Sequence, residues 1–234
     1  DEDMLKDIDR LGSEHVLSNY PVGWGYATNT PFPWGKTVAS KLGGLRDGMV
    51  ISWPKGIADK GGVRTQFSHV IDIAPTIYEA IGIAPPEKVN GVVQQPIDGV
   101  SMVPTFFDAA APEDKQVQYF ANNGSRGIYQ QGWYACTFGP LIPWINAQPG
   151  LDKWDSAKDV WELYDLRSDF SQANDLASEE PEKLAEMKQL FLSEARDNKV
   201  FPVGAGIWLR IHPEDVITSP YTSWTFDSST RRMP

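Results

Sequence analysis

The residues that could do chemistry begin with Lys36, which precedes a Gly43-Gly44 pair and Arg46 in the stretch WGKTVASKLGGLRDGMVISWPKG. A lysine ammonium is a compact charge that can meet an anionic oxygen, and glycines let the backbone pass close to such a site. The alternative is a surface lysine ahead of a tight turn, and the local sequence alone favours this alternative. The choice between the two depends on the rest of the chain.

His69 and Asp72 form a second candidate pair, three residues apart at the start of a predicted helix. The favoured interpretation is that Asp72 caps the helix while His69 packs or bonds locally, because aspartate is a preferred capping residue. We assign neither residue a catalytic role.

A group of acidic and amide side chains follows the last β-prone run and could suggest calcium: Asp165, Asp169, Asn174 and Asp175. Their spacing does not match an EF-hand loop, which needs a glycine at its sixth position and a glutamate at its twelfth. A solvated turn is the better interpretation.

Cys136 is the single cysteine and lies in the β-prone stretch CTFGP. A buried, inert thiol is favoured over a nucleophile, since no cationic neighbour in the sequence would lower its pKa. One cysteine excludes an internal disulfide and leaves the redox compartment undecided. The three histidines are too scattered for a recognisable zinc pattern.

The first element expected to position Lys36 is a predicted strand. Residues 48–53, GMVISW, form a short apolar run that ends before Pro54. Such a run is typical of a strand buried on both faces of a parallel or mixed sheet. Residues 68–82 then predict a helix whose start is marked by Asp72 and Pro75 and which ends at Gly82. The stripe expected to be buried is Ile73, Ile77 and Ile81. Strand, turn and helix in this order indicate an α/β layer.

The flanking segments predict a short amphipathic helix over residues 2–11 and an ordered loop over residues 18–36, which are rich in Pro, Gly, Asn and aromatics. Residues 85–101 are rich in turns and mark a boundary. Beyond about residue 115, four short β-prone runs predict a small antiparallel sheet: residues 117–120, 125–129, 132–138 and 160–166. A long helix over residues 178–198 follows, and residues 200–234 predict an extended arm or partial disorder.

Composition limits the classes of function. The 234 residues, 41% of them hydrophobic, suffice for a packed core. A net charge of −10 argues against a general affinity for nucleic acid or anionic lipid, because both need a basic face. We expect neither a membrane span nor a signal peptide, since no apolar run of about 18 residues and no basic leader is present.

Joined together, several segments resemble the C-terminal half of a type I bacterial arylsulfatase of the alkaline-phosphatase-like superfamily. TPFPWGK followed by LGGLRDGMVISWPKGI is similar to the family's lysine, Gly-Gly-x-Arg turn and Trp-Pro strand end. FSHVIDIAPTIYEAIGI and IDGVSMVP resemble its Asp-x-x-Pro-Thr helix and Asp-Gly-x-Ser turn. SRGIYQQGWYACTFG and WELYDLRSDFSQANDLASEEPEKLAEM resemble its small C-terminal subdomain.

The resemblance implies that Lys36 contacts the sulfate group, where a substrate oxyanion would compensate a dehydrated ammonium, and this reverses the local interpretation. Many relatives carry a histidine where this chain has Lys41, which is a second candidate substrate-binding residue. The family's formylglycine nucleophile and its calcium ligands lie upstream of the matching residues. Cys136 lacks the proline and arginine of the formylglycine motif, so the resemblance implies no catalytic or metal-ligating residue in this chain.

The resulting expectation is an α/β fold: residues 1–112 as the C-terminal part of the large mixed sheet, 113–200 as a small α+β subdomain and 201–234 as a tail. The function expected is sulfate-ester hydrolysis by the complete enzyme, with Ca²⁺ and formylglycine supplied by an N-terminal half as partner. The chain alone would be inactive, and family resemblance suggests a periplasmic or secreted parent. The alternatives are a phosphodiesterase or phosphonate monoester hydrolase of the same superfamily, and a non-catalytic interaction module.

Overall fold

The computed structural model describes residues 5–10, 12–15, 22–141, 153–201 and 203. Its α-helices are α1 (Val22–Asn29), α2 (Ile73–Ala80), α3 (Val103–Phe107) and α4 (Pro181–Asp197). Its strands are β1 (Lys88–Val89), β2 (Val92–Val93), β3 (Val117–Asn122), β4 (Ser125–Gln130), β5 (Trp133–Thr137) and β6 (Glu162–Asp165). Short 3₁₀ helices cover Ile8–Arg10, Leu42–Gly44, Val70–Asp72 and Ser156–Lys158.

Strands β3 to β6 form one antiparallel sheet in sequence order. The first two hairpins close through two-residue turns, Asn123-Gly124 and Gln131-Gly132, and all four turn residues have positive φ. Two consecutive positive φ angles match the twist of antiparallel strands, and glycine adopts the second one without strain. The predicted small antiparallel sheet is confirmed.

One face of this sheet packs against α4. Three of its side chains, Ile128, Ala135 and Leu163, are fully buried. The helix side chains Met187, Phe191 and Ala195 lie against them, spaced four residues apart so that they share one helix face. The helix predicted over residues 178–198 is therefore confirmed, with its apolar stripe in the core.

The other face of the sheet consists of Tyr129, Tyr134, Cys136 and Tyr164, which alternate with the residues that face α4. Residues 38–42 cross this face and are all buried. Phe67 stacks on Tyr129 with ring centroids 3.7 Å apart. The sheet is thus covered on both faces, and the segment that follows Lys36 forms part of the cover.

The prediction of a buried strand over residues 48–53 is wrong for this chain. The structure assigns no strand there, and Val50 is 94% exposed. An apolar run becomes a buried strand only when neighbouring strands supply the hydrogen bonds of a ladder. Within the described ranges, the sheets are the β1–β2 hairpin and β3–β6, and neither includes residues 48–53.

The helix expected within residues 68–82 is confirmed as Val70–Asp72 followed by α2, and Gly82 ends it with φ 69°. Its predicted buried stripe is wrong: Ile73, Ile77 and Ile81 are exposed, whereas Asp72 and Thr76 are buried. The described residues leave these isoleucines exposed, whereas Asp72 and Thr76 accept from the N–H groups of Val100 and Met102.

The remaining segments differ in detail from the expectations. The loop predicted over residues 18–36 contains the two-turn helix α1, and the turn-rich residues 85–101 contain the β1–β2 hairpin. Within the helix predicted over residues 2–11, Leu5 and Lys6 are α-helical and Ile8–Arg10 form a 3₁₀ turn that buries no residue, while residues 2–4 and 11 lie outside the described residues. The tail beyond residue 203 lies outside the described residues. Among the described helices, none is long and apolar enough to cross a bilayer.

Candidate anion-binding site

Lys36 lies in a tight turn of residues 35–38, which is closed by the Val38 N–H donating to the Gly35 carbonyl at 3.2 Å. The lysine is exposed. Its neighbours Trp34 and Thr37 have φ of 64° and 79°, a region that bulky and β-branched residues seldom adopt. Such backbone persists only where surrounding contacts determine it.

The Gly43-Gly44 pair supplies part of those contacts. A Cβ on Gly43 would lie 2.3 Å from the carbonyl oxygens of Pro33 and Trp34, and a Cβ on Gly44 would lie 2.2 Å from that of Val38. The Gly43 N–H donates to the Pro33 carbonyl at 3.1 Å. The glycines therefore allow two backbone segments to touch, and the turn of Lys36 lies against them.

Asn29, at the end of α1, joins the same two segments. Its side-chain amide donates to the Trp34 carbonyl at 2.6 Å and to the Gly43 carbonyl at 2.7 Å. Aromatic rings attach the turn to the rest of the molecule, with Trp34 and Phe138 at 5.0 Å between ring centroids. The position of Lys36 is thus determined from α1, from the glycine pair and from the end of β5.

Residues 38–42 are bound to the small sheet by polar contacts. The Tyr134 hydroxyl donates to the Ala39 carbonyl at 2.8 Å, and the hydroxyls of Ser125 and Ser40 lie 3.0 Å apart. Gln172 accepts from the Leu42 N–H at 2.7 Å and donates to the Ser40 carbonyl at 3.3 Å. Residues 39–42 are therefore hydrogen-bonded to the sheet and to the loop that contains Gln172.

Lys41, the second candidate, is 5% exposed and its ammonium is 2.5 Å from Glu162 Oε2. It also donates to the Tyr164 hydroxyl at 2.7 Å and lies 4.5 Å from the centroid of that ring. Burial, followed by the negative charge of Glu162, raises the pKa of Tyr164, so its phenol stays protonated. The structure therefore separates the two candidate lysines: Lys36 is exposed, and Lys41 is buried in an ion pair.

Glu162 and Tyr164 contact Lys41, and Gln172 contacts Leu42; the sequence did not indicate these three partners. Glu162 lies 121 residues from Lys41, and the local pattern shows only a β-prone run at that point. The assignment of Lys36 and Lys41 to substrate stays a prediction. Lys36 is exposed in the described chain, so the expected dehydration of its ammonium would require a further surface.

Cys136 is fully buried, as expected, and burial raises the pKa of its thiol well above the usual value. The reason given by the sequence was incomplete, because the fold brings Lys41 close enough to lower that pKa. Burial has the largest effect on the pKa of the thiol, and the negative charge of Glu162 raises this pKa further, against the effect of Lys41. The thiol lies 3.7 Å from the Glu162 carboxylate. The expected burial of the thiol is confirmed, and its lack of a nucleophilic role stays a prediction.

Asp72 and His69 form a capping box, in which Asp72 accepts from the His69 N–H at 2.7 Å and His69 accepts from the Ile71 N–H. Asp72 also accepts from the Val100 N–H at 2.9 Å and from the Lys115 ammonium at 3.0 Å. A local structural role for the pair is confirmed, but the predicted assignment is wrong in one respect: His69 is the N-cap residue, and Asp72 is the N3 partner of the capping box. The Asp-x-x-Pro-Thr stretch thereby connects α2 to two later segments.

The acidic residues after β6 form a turn. Asp169 accepts from the Ala173 and Asn174 N–H groups, while Asp175 accepts from those of Leu163 and Ala177. Asp165 binds Arg167 through two hydrogen bonds, which lower the pKa of the aspartate. Among the described residues, no three His, Cys, Asp or Glu side chains are placed to hold a metal ion.

Known proteins resemble this chain in amino-acid sequence and in fold. The chain is 31% identical over 94 residues to an arylsulfatase of Klebsiella aerogenes, a match that covers 40% of this chain and 20% of that protein. The structure of Ps i-CgsB with k-i-k-neocarrahexaose matches with a TM-score of 0.54 and 21% identity, over 80% of this chain and 38% of that one. No family profile matches.

A further structure, BT33336S-sulf, whose description concerns the metabolism of multiple glycosaminoglycans by Bacteroides thetaiotaomicron, matches with a TM-score of 0.50 and 21% identity. It covers 66% of this chain and 30% of that one. These structural matches show a shared fold, which is α/β and alkaline-phosphatase-like.

The arylsulfatase match shows that part of the chain is homologous to a sulfatase. The chain spans about a fifth of the length of the curated relative.

Proposed function

We propose that this chain is the C-terminal portion of an arylsulfatase, in which Lys36 binds the sulfate group of the ester. The observation that carries the proposal is the exposed ammonium of Lys36 on a turn whose backbone is constrained at Trp34 and Thr37. A cation held in a fixed position can stabilise charge on sulfate oxygens with little reorganisation during the reaction.

The role of this chain in hydrolysis is to bind and orient the ester. Lys36 would hold the sulfate oxygens while the bond between sulfur and the alcohol or phenol oxygen breaks. The calcium and formylglycine of the family belong, in this proposal, to an N-terminal half that precedes the chain. The chain alone is then inactive toward sulfate esters.

The exposed apolar surface supports a partner of that kind. Residues 48–53 and the isoleucines of α2 present large apolar side chains to solvent: Met49, Val50, Ile51, Trp53, Ile73, Ile77 and Ile81. Contiguous apolar surface commonly marks a protein interface, and an extended segment outside a ladder can pair with an incoming strand. We propose that the N-terminal half covers this surface and brings the nucleophile to Lys36.

The proposal is tested by co-expressing the chain with the polypeptide encoded upstream of it and measuring hydrolysis of 4-nitrophenyl sulfate and 4-nitrophenyl phosphate. Lys36→Ala should lower kcat/KM for the sulfate ester by about 100-fold, the usual effect of losing one charge-stabilising donor. The matched control is Lys60→Ala, an exposed lysine in another turn, which should retain activity.

Three results would contradict the proposal: one concerns the role of Lys36, one the class of ester and one catalysis itself. Unchanged hydrolysis in Lys36→Ala would remove the site assignment. A preference for the phosphate ester would favour the phosphodiesterase or phosphonate monoester hydrolase alternative. A stable complex without hydrolysis of either ester would favour a non-catalytic interaction module.

A further inference from the structure

We propose that Lys41 is a positioning residue, and that its ion pair with Glu162 holds the turn of Lys36 in place. The small antiparallel sheet would then determine where the binding lysine lies. The functional consequence rests on the proposed role of Lys36, whereas the mechanical coupling can be tested without it.

The surroundings of the Lys41 ammonium favour an anchor over a second contact to substrate. Its side chain is 7% exposed, and the carboxylate of Glu162 and the hydroxyl of Tyr164 both lie within hydrogen-bond distance. The rings of Tyr164 and Phe138 flank it at 4.5 and 5.6 Å to their centroids. Reaching a substrate oxygen would break this ion pair and leave the partly buried carboxylate of Glu162 without its cation, which is unfavourable.

The chain between Lys41 and Lys36 is short and held throughout. Val38 closes the turn of Lys36, and residues 38–42 are buried against β4, β5 and the loop that contains Gln172. A shift at Lys41 therefore cannot be absorbed by a flexible linker. It would move Val38 and the Lys36 turn with it.

Lys41 differs from the other contacts of this segment in carrying charge. The remaining hydrogen bonds described above join neutral groups: Tyr134 and Gln172 bond to the backbone of the segment, and the hydroxyl of Ser125 lies beside that of Ser40. Charge-assisted hydrogen bonds are shorter and roughly twice as strong as neutral ones. Removal of either charge should thus loosen residues 35–44 before it affects the sheet itself.

Hydrogen exchange in the full chain tests this coupling. Lys41→Met, which preserves length and removes the charge, and Glu162→Gln, which preserves shape, should each accelerate amide exchange over residues 35–44 by about tenfold relative to β4 and β5. The double variant should add little to either single one, because both remove the same interaction. Glu162 is partly exposed, so Glu162→Gln keeps the test available where Lys41→Met does not fold.

The matched control is Asp159→Asn, which removes the charge from another ion pair of the same sheet, Arg126 with Asp159 at 2.7 Å. This variant should not accelerate exchange over residues 35–44 selectively. Equal acceleration in Asp159→Asn and Glu162→Gln would overturn the proposal, because the effect would then be general destabilisation.

A functional measurement separates this inference from the proposed function. In the co-expressed enzyme, Lys41→Met should raise KM for the sulfate ester by more than it lowers kcat, since Lys36 remains present but less well placed. If Lys36→Ala has no effect on hydrolysis, the proposed function fails while the exchange result stands. If exchange over residues 35–44 is unchanged in both Lys41→Met and Glu162→Gln, the positioning role fails whatever the activity.

Discussion

Asp72 and Lys115 form a buried ion pair, with 3.0 Å between the carboxylate and the ammonium and side-chain exposures of 1% and 6%. Asp72 also accepts from the backbone N–H groups of His69 and Val100. One carboxylate thus joins the start of α2, the turn before α3 and the segment that leads into β3. This junction connects the exposed α2 to the small sheet.

We expect Asp72→Asn to lower the free energy of unfolding by about 3 kcal/mol, because it leaves the Lys115 ammonium buried without its counter-charge. Lys115→Met should cost less, since Asp72 keeps its two backbone donors. Urea unfolding followed by tryptophan fluorescence measures both. The control is Asp114→Asn, an exposed neighbour of Lys115, which should remain within about 0.5 kcal/mol of the parent. A smaller loss for Asp72→Asn than for Lys115→Met would contradict this account of the junction.

Gly43→Ala should destabilise the fold by about 2 kcal/mol, because the added methyl group would overlap the carbonyl oxygens of Pro33 and Trp34 and force the backbone apart. Thermal unfolding monitored by circular dichroism gives the change in stability. Gly48→Ala is the matched control, since a Cβ there meets nothing within 4 Å. Similar melting of the two variants would mean that the close approach at Gly43 is not required.

The antiparallel sheet and α4 could be predicted because their signals are local. Alternation through Ile128 and Tyr129 defines the two faces of β4, and the spacing of Met187, Phe191 and Ala195 defines one face of α4. Turns of two residues bring neighbouring strands together without help from distant parts of the chain. These elements therefore follow from short stretches of sequence.

Residues 48–53 and the stripe of α2 were predicted wrongly because burial depends on neighbours. The apolar pattern indicates which side chains a strand would bury, but not whether neighbouring strands are there to bury them. For the same reason the sequence did not reveal that Lys41 pairs with Glu162, 121 residues away. The motif around Lys36 identified a candidate residue, and only the fold showed what holds it.

The stability of the fold should depend on pH through His69. Burial, followed by the nearby Lys115 ammonium, lowers the pKa of His69 below 6.5, although Asp72 acts in the opposite direction. Between its folded pKa and about 6.5, the unfolded chain binds more protons at this residue, so stability rises with pH. The contribution is fully present above pH 6.5 and declines as the pH falls, until it levels off below the folded pKa.

His69→Asn should abolish this part of the pH dependence. Asparagine is a strong N-cap, so its side-chain oxygen can replace the imidazole as acceptor for the Ile71 N–H, and it does not titrate. Urea midpoints measured from pH 8 to pH 5 should decline less in this variant than in the parent. The control is His15→Asn, an exposed histidine that should leave the decline unchanged. An equal decline in His69→Asn and in the parent would show that the titrating group lies elsewhere.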